Sequence, residues 1–164
     1  YYPENYLQYE DYIGTYTATV DDYDEGPTSQ SVTITPKVRG ESYTLKSIGG
    51  FNFTLLYDKA SGKLILDSQS ISPVSSSSYY FACAAGVEGY AHTELSLPSR
   101  LRSGLVNVTV KINPFTFYFA DKASQENTSL IIWAYSSDEY STSGLMGYWS
   151  WYNSILMEKE NEGN

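Results

Sequence analysis

The stretch FNFTLLYDKASGKLILDSQSI, residues 51–71, holds two runs of alternating apolar and polar residues joined by a short turn. Successive side chains of a strand point to opposite faces, so the alternation predicts one apolar face. That face consists of Phe51, Phe53, Leu55 and Tyr57. Asp58 to Gly62 is predicted to be a five-residue hairpin loop whose glycine comes late, where a positive φ is needed. Lys63 to Ile71 is predicted to return as the second strand.

The same alternation continues on both sides of this hairpin. Further strands are predicted at 12–20, 31–38, 42–48, 79–85, 105–112, 115–120, 129–135 and 146–158. The predicted inward residues are Tyr12, Gly14, Tyr16, Ala18 and Val20 in the first strand, Val32, Ile34 and Val38 in the second, and Val106, Val108, Val110 and Ile112 in the strand at 105–112. Strands 115–120 and 129–135 are expected to form a hairpin, while the pattern between 86 and 103 is weak.

Many short strands joined by tight turns predict an all-β fold. We expect an antiparallel up-and-down β-barrel of about eight to ten strands, of the lipocalin or calycin type, since closure removes exposed strand edges. A two-sheet β-sandwich is the alternative. Residues 1–164 are predicted to form this single domain. Within it, residues 1–11 form a tyrosine-rich N-terminal cap and residues 159–164 a frayed tail.

Charge excludes one class of partner. The chain has 164 residues with 10 basic and 19 acidic side chains, a net charge of −9. An acidic surface repels phosphate backbones, so we expect no nucleic-acid partner. No run of about 18 apolar residues predicts a membrane span. The chain begins with Tyr1, and we expect that a leader preceded it.

No catalytic signature is present, so we expect a protein that is not an enzyme and has no cofactor. Cys83 is the only cysteine and lies in an apolar run, which predicts a buried thiol. His92 is the only histidine, and zinc requires three or four ligands. Neither Gly-x-Ser-x-Gly nor Gly-x-Gly-x-x-Gly occurs in the sequence. Asp22 and Asp24, followed by a glycine, are a weak candidate for calcium, although a solvated hairpin tip is the preferred interpretation.

The aromatic residues are the best candidates for a binding site. The candidate ligand-binding residues are Tyr118, Trp133, Tyr135, Tyr148, Trp149, Trp151 and Tyr152. The three tryptophans and the phenylalanines are expected mainly in the core. Tyr118, Tyr148 and Tyr152 are expected to point outward, where flat rings stack on sugars or anchor partners.

Three stretches resemble a known family: residues 12–19, residues 57–71 and the closing residues 149–159. They resemble the lipocalin-like (calycin-like) β-barrel domains of lipoproteins from gut Bacteroidetes. In lipocalins the first strand carries Gly-x-Trp, with an arginine packed on the tryptophan. Here Tyr16 stands in that place, and the candidate arginines are Arg39, Arg100 and Arg102.

The resemblance implies an exported lipoprotein, periplasmic or anchored to the outer membrane, whose only membrane contact is a lipid anchor. Its function is expected to be the binding of a small ligand or glycan at the barrel mouth or on an aromatic face. The alternative is a structural or protein-interaction module of a cell-surface assembly.

Overall fold

A computed structural model describes residues 7–67, 69–86, 107–113, 116–121, 129–140 and 142–160. Its strands are β1 (Gly14–Asp22), β2 (Gly26–Val38), β3 (Ser42–Ile48), β4 (Phe51–Asp58), β5 (Lys63–Leu66), β6 (Gln69–Pro73), β7 (Tyr80–Gly86), β8 (Asn107–Asn113), β9 (Thr116–Asp121), β10 (Ser129–Tyr135) and β11 (Leu145–Lys159). Two 3₁₀ helices, Tyr9–Tyr12 and Thr142–Gly144, precede β1 and β11. Within the described residues, no helix has the length and apolar character needed to cross a membrane.

The strands close into an eight-stranded antiparallel barrel. β1 pairs with β2 on one side and with β11 on the other, so the sheet has no gap between its first and last strands. Antiparallel pairs link each neighbour around the ring. The predicted all-β antiparallel barrel is therefore confirmed, and the two-sheet alternative is not the fold.

Three of the eight wall positions are each built from two segments that lie end to end. β5 and β6 both pair with β4, and β9 and β10 both pair with β11. Between them, β7 pairs with β6 and β10, whereas β8 pairs with β5 and β9. The chain therefore runs up and down around the barrel in sequence order, as predicted.

The three composite positions are interrupted at the same level of the wall. Gly86 at the end of β7 lies opposite Ser129, and Asn107 at the start of β8 lies opposite Asp121. Asn107 is also paired with Leu66, the last residue of β5. The interruptions after β5, β7 and β9 are therefore neighbours across the sheet.

Two predictions about these strands are wrong. The strands at 115–120 and 129–135 do not form a hairpin, because both pair with β11, one after the other along its length. The strand predicted from Lys63 to Ile71 is divided into β5 and β6. Alternation marks a strand but carries no information about its partner, so it cannot distinguish a hairpin from an interrupted strand.

The side chain of Gln69 bridges the interruption between β5 and β6. Its Oε1 accepts a hydrogen bond from the backbone N–H of Thr54 at 2.9 Å, and its Nε2 donates to the carbonyl of Thr54 at 2.9 Å. Nε2 also lies 3.1 Å from the carbonyl of Asp67. The amide thus takes the place of a peptide group beside β4, where an unpaired backbone group would be costly.

Most of the predicted inward faces are confirmed. Tyr16, Ala18 and Val20 of β1 are buried, as are Phe51, Phe53 and Leu55 of β4. Val38 is the exception, because it is 48% exposed. The register between β2 and β3 shifts between Pro36 and Val38, and a bulge of this kind turns the following side chains to the other face. For the strand at 105–112, Val106 and the side chains of β8 lie outside the described residues.

The 3₁₀ helix Tyr9–Tyr12 covers the end of the barrel at which β1 begins, hereafter the plugged end. The hydroxyl of Tyr9 donates to the carbonyl of Ser42 at 2.6 Å, and that of Tyr12 donates to the carbonyl of Gly62 at 2.6 Å. In return, Tyr43 donates its hydroxyl to the carbonyl of Tyr9 at 2.9 Å, and the two rings stack 4.4 Å apart. The helix is therefore tied to two turns of the barrel.

Two further tyrosines complete the plugged end. Tyr16 donates its hydroxyl to the carbonyl of Tyr12 at 2.7 Å, and Tyr57 donates to that of Leu7 at 2.5 Å. Tyr16 also meets Phe117 edge to face, with 5.6 Å between the ring centroids. Each hydroxyl at this end has a backbone acceptor, which removes the penalty for burying it.

Tyr16 thus lies at the floor of the barrel, in the place that the resemblance gives to a tryptophan. Arg39 does not pack on it, because Arg39 forms an exposed ion pair with Glu10. Arg100 and Arg102 lie outside the described residues.

The interior between the two ends is apolar. It holds side chains from β1, β2, β3, β4, β5, β6, β7, β9, β10 and β11 in one continuous core. Ser42 is the only buried polar residue in the described part of the chain. Cys83 belongs to this core, as predicted, and burial raises the pKa of its thiol to about 12.

Candidate ligand-binding surface

The opposite end of the barrel, hereafter the aromatic end, carries the loops that follow β1, β3, β6 and β10. Among the described residues, nine large hydrophobic side chains are exposed, and seven of them lie in these loops or in the strand ends beside them. The seven are Tyr23, Val74, Tyr79, Tyr80, Met146, Tyr148 and Trp149. Exposed apolar side chains that cluster mark binding surfaces more often than scattered ones do.

Trp149 is 53% exposed, so the expectation that it lies in the core is wrong. Its place in β11 explains the difference. Ser150 pairs with Ile132 and Tyr148 pairs with Trp133, which leaves Trp149 as the extra residue of a β-bulge. A bulge redirects the side chain of the extra residue, and strict alternation no longer applies.

The indole of Trp149 is supported by neighbouring rings. It meets Phe81 edge to face at 5.3 Å and lies 6.2 Å from Tyr79. Phe81 is buried and packs in turn on Phe51, 4.8 Å away. Trp149 therefore rests on the core while more than half of its surface stays in solvent.

A second group of rings at this end consists of Tyr23, Tyr148 and Trp151, hereafter the ring triad. The centroid of Trp151 is 5.4 Å from Tyr23 and 5.5 Å from Tyr148, and Tyr148 stands nearly perpendicular to both rings. The hydroxyl of Tyr148 lies 3.1 Å from each carboxylate oxygen of Asp24. This hydrogen bond to the carboxylate raises the pKa of Tyr148, so its hydroxyl remains a donor.

Trp133 and Tyr135 are buried, and Trp151 of the ring triad packs against the cluster to which they belong. They form a second apolar cluster with Ala82 and Ile131, separate from the main core. Because Leu130, Ile132 and Ala134 belong to the main core, β10 is buried on both faces. Trp133 was expected in the core, and the ring of Tyr135 is closed to a ligand by its own burial.

The loop between β10 and β11 contributes to the cover over this second cluster. Tyr140 has a φ of 50°, an uncommon conformation for a residue with a side chain. Its ring meets Tyr135 edge to face at 5.2 Å, and Leu145 packs on the same cluster.

Tyr152 and Tyr118 were both expected to point outward. Tyr152 is only 3% exposed, so that expectation is wrong. Its hydroxyl lies directly beneath Gly49, where a Cβ would overlap it. Tyr118 is half-buried and pairs with Leu156, in the part of β11 far from Trp149. Of the seven candidate residues, the structure places Tyr148, Trp149 and Trp151 at the aromatic end, and it brings the rings of Tyr148 and Trp151 into contact.

Asp22 and Asp24 lie in the hairpin tip between β1 and β2. The Oδ1 atom of Asp22 accepts hydrogen bonds from the backbone N–H groups of Asp24 and Glu25 at 2.8 and 3.2 Å. The carboxylate of Asp24 accepts a hydrogen bond from the hydroxyl of Tyr148. Across the described residues, no three His, Cys, Asp or Glu side chains come together as a metal site.

Sequence reasoning missed Tyr23 and Tyr79 as members of this surface. Both are loop tyrosines next to polar residues, Tyr23 within an acidic hairpin tip and Tyr79 after a run of four serines. A large aromatic residue in a polar loop was the available signal, because loops lie on the surface. His92 and residues 87–103, where the strand pattern is weak, lie outside the described residues.

Comparison with known proteins identifies the family to which the chain belongs. Residues 1–133 match the model of DUF4987, a domain of unknown function, and the chain belongs to this family. The match ends within β10, so β11 and its bulge follow it. No curated protein and no solved structure gives a significant match.

Proposed function

We propose that this domain is a non-enzymatic binding module whose ligand, a glycan, docks on the aromatic end with Trp149 as its main contact. The observation that carries the proposal is the 53% exposure of a tryptophan that rests on buried Phe81 and stands beside Tyr79. Rings held in this way offer a rigid flat surface at little cost in conformational entropy. The C–H face of a sugar ring is also flat and apolar, and stacks on such a surface.

The interior supports a site on the outside of the barrel. The described core consists of apolar and tyrosine side chains, with Ser42 as its one buried polar residue. A site for a sugar inside the barrel requires several converging polar groups. The exposed rings at the rim are therefore the better place for a glycan.

The resemblance to envelope lipoprotein domains supports an extracytoplasmic setting for this activity. The domain is proposed to work in the periplasm or on the outer membrane, held there by a lipid anchor. Binding of glycans at the cell envelope is consistent with an acidic domain that neither nucleic acids nor anionic membrane surfaces attract.

A protein-interaction module is the second candidate. Seven exposed apolar side chains at one end favour it, because such residues also anchor protein partners. The alternative differs from the main proposal in the ligand but uses the same surface.

A glycan array followed by calorimetry on the hits tests the proposal. We expect at least one glycan to bind, and Trp149→Ala to weaken its affinity more than about 10-fold, as for a central aromatic contact. Val38→Ala is the matched control, since Val38 is 48% exposed outside the aromatic end. The Val38→Ala variant should bind the glycan with the same affinity as the parent protein.

Two results contradict the proposal. If no glycan binds the folded protein, the protein-interaction alternative replaces it. If a glycan binds and Trp149→Ala leaves its affinity unchanged, the site lies elsewhere on the domain.

A further inference from the structure

We propose that the ring triad of Tyr23, Tyr148 and Trp151, beside Asp24, binds an alkylammonium group. The inference rests on the proposed function in that it names a chemical group of the ligand that the aromatic end recognises. An amine-bearing or choline-bearing glycan satisfies both, with the sugar on Trp149 and the cation on the triad.

The rings offer faces of the kind that attract a cation. Tyr148 makes edge-to-face contacts with Trp151 at 86° and with Tyr23 at 81°, so the rings of the triad present faces in two perpendicular directions. Tyr23 is 62% exposed and Tyr148 is 38% exposed, which leaves part of these faces accessible. The π-face of an aromatic ring carries partial negative charge, and a cation within about 6 Å of its centroid is attracted to it.

The carboxylate of Asp24 supplies the counter-charge. Its two oxygens are each 3.1 Å from the hydroxyl of Tyr148, which fixes it at the border of the triad. An alkylammonium group against the rings is thus within reach of a full negative charge.

The charges around the ring triad also favour a cationic ligand. The acidic residues in or beside the loops of the aromatic end are Asp21, Asp22, Asp24, Glu25, Asp138 and Glu139. These loops contain no lysine or arginine. By contrast, the strand ends and turns of the plugged end carry Arg39, Lys59, Lys63 and Lys159 beside their acidic residues. A field of one sign at the aromatic end raises the local concentration of cations.

A small organic cation fits this surface better than a metal ion does. Asp22 is engaged by two backbone N–H groups, and Asp24 by Tyr148. Hard metal ions require six or more oxygen ligands and gain little from aromatic rings. A weakly hydrated alkylammonium group instead gains from the rings and from the nearby carboxylate.

The test is a titration of the whole domain with choline, followed by NMR, with 3,3-dimethylbutan-1-ol as the neutral probe of the same shape. We expect choline to bind and the neutral alcohol to bind at least about fivefold more weakly. Tyr23→Ala should weaken choline roughly two- to fivefold, the range for an exposed cation–π contact. Added salt should weaken choline further.

Matched variants separate the parts of the site. Asp24→Asn should weaken choline more than Asp138→Asn does, because both remove one charge from this end and only Asp24 touches the triad. Trp149→Ala should leave choline binding unchanged while it weakens glycan binding more than about 10-fold. A thermal melt of each variant establishes that it is folded.

Equal binding of choline and the neutral alcohol would overturn the inference, as would the absence of choline binding. Equal effects of Asp24→Asn and Asp138→Asn would assign the attraction to net charge and would also overturn it. Each of these three results leaves the glycan proposal to be tested separately by the glycan array. Conversely, choline binding with an empty glycan array would support the cation site and contradict the glycan.

Discussion

The plugged end and the aromatic end are both rich in tyrosine, yet they use it in opposite ways. At the plugged end, Tyr9, Tyr12 and Tyr43 are buried, and their hydroxyls donate to backbone carbonyls. At the aromatic end, Tyr23 and Tyr148 are exposed, and Tyr148 donates to a carboxylate. The difference lies in what the chain supplies. At the plugged end, carbonyls of the 3₁₀ helix accept the hydroxyl of Tyr43, and carbonyls of the barrel turns accept those of Tyr9 and Tyr12. The loops of the aromatic end instead bring acidic side chains.

The largest expected effect comes from the plugged end. Tyr43→Ala should lower the free energy of unfolding by roughly 3–5 kcal/mol, because it removes a large buried ring. The smaller change Tyr43→Phe should cost about 1–3 kcal/mol, because it leaves the buried carbonyl of Tyr9 without its donor. Urea denaturation measures both. Tyr148→Ala is the control from the other end, and a cost equal to that of Tyr43→Ala would erase the distinction between the ends.

Gly49→Ala tests whether the aromatic end has a rigid part of its own. Gly49 has a φ of 61°, and a Cβ there would overlap the hydroxyl of Tyr152. We expect a loss of about 2–4 kcal/mol from backbone strain and overlap together. Adding Tyr152→Phe removes the overlapping oxygen and should recover part of the loss in a double-mutant cycle. No recovery would show that strain at φ alone is responsible.

Alkaline pH should act on the plugged end. Burial raises the pKa of Tyr16 and Tyr43 above the ordinary value of 10.0. Their folded-state pKa exceeds the unfolded one, so their contribution to stability is complete below pH 10 and declines as pH rises above it. Each should cost up to about 1.4 kcal/mol per pH unit in that window. Denaturant melts at pH 9 and pH 11 measure this, and Tyr16→Phe should flatten the slope. An unchanged slope in Tyr16→Phe contradicts the assignment.

The smallest expected change is that of Trp149→Ala. Because Trp149 is more than half exposed, its removal should change the free energy of unfolding by less than about 1 kcal/mol. Trp133→Ala, which removes a buried indole from the second cluster, should cost roughly 3–5 kcal/mol. Chemical denaturation of the two variants side by side decides this. Comparable losses would return Trp149 to the core and remove it from the binding surface.

The sequence predicted the fold well where alternation was unbroken. The inward faces of β1 and β4, the hairpin turn at Gly62 and the closed antiparallel barrel follow from period-two patterns and turn residues. The pairing of β9 and β10 did not follow, because alternation says nothing about a strand's neighbours.

The binding surface was harder to predict, for a specific reason. Val38 was placed on the wrong face because it follows a bulge, and one extra residue reverses the alternation. Trp149 does contact the core residue Phe81, but it is the extra residue of a bulge near the end of the barrel, and it is 53% exposed. Tyr152 was predicted to point outward because the same uninterrupted alternation was assumed along β11. The pattern of a single sequence does not indicate where a bulge occurs. Predictions of which residues face inward therefore fail for the residues that follow a bulge.

The interruptions that line up across three neighbouring wall positions have a consequence for how this family can vary. β4 and β11 run without interruption along the two borders of the interrupted region, and each holds both segments of its neighbour in register. β4 and β11 thus fix the register of the interrupted strands, so we expect chain added or removed between two segments of the same wall position to leave the strand pairings in place. We therefore expect the length of chain between collinear segments to vary among family members, and we expect a tag inserted after Gly86 or Asp121 to leave the described strand pairings intact.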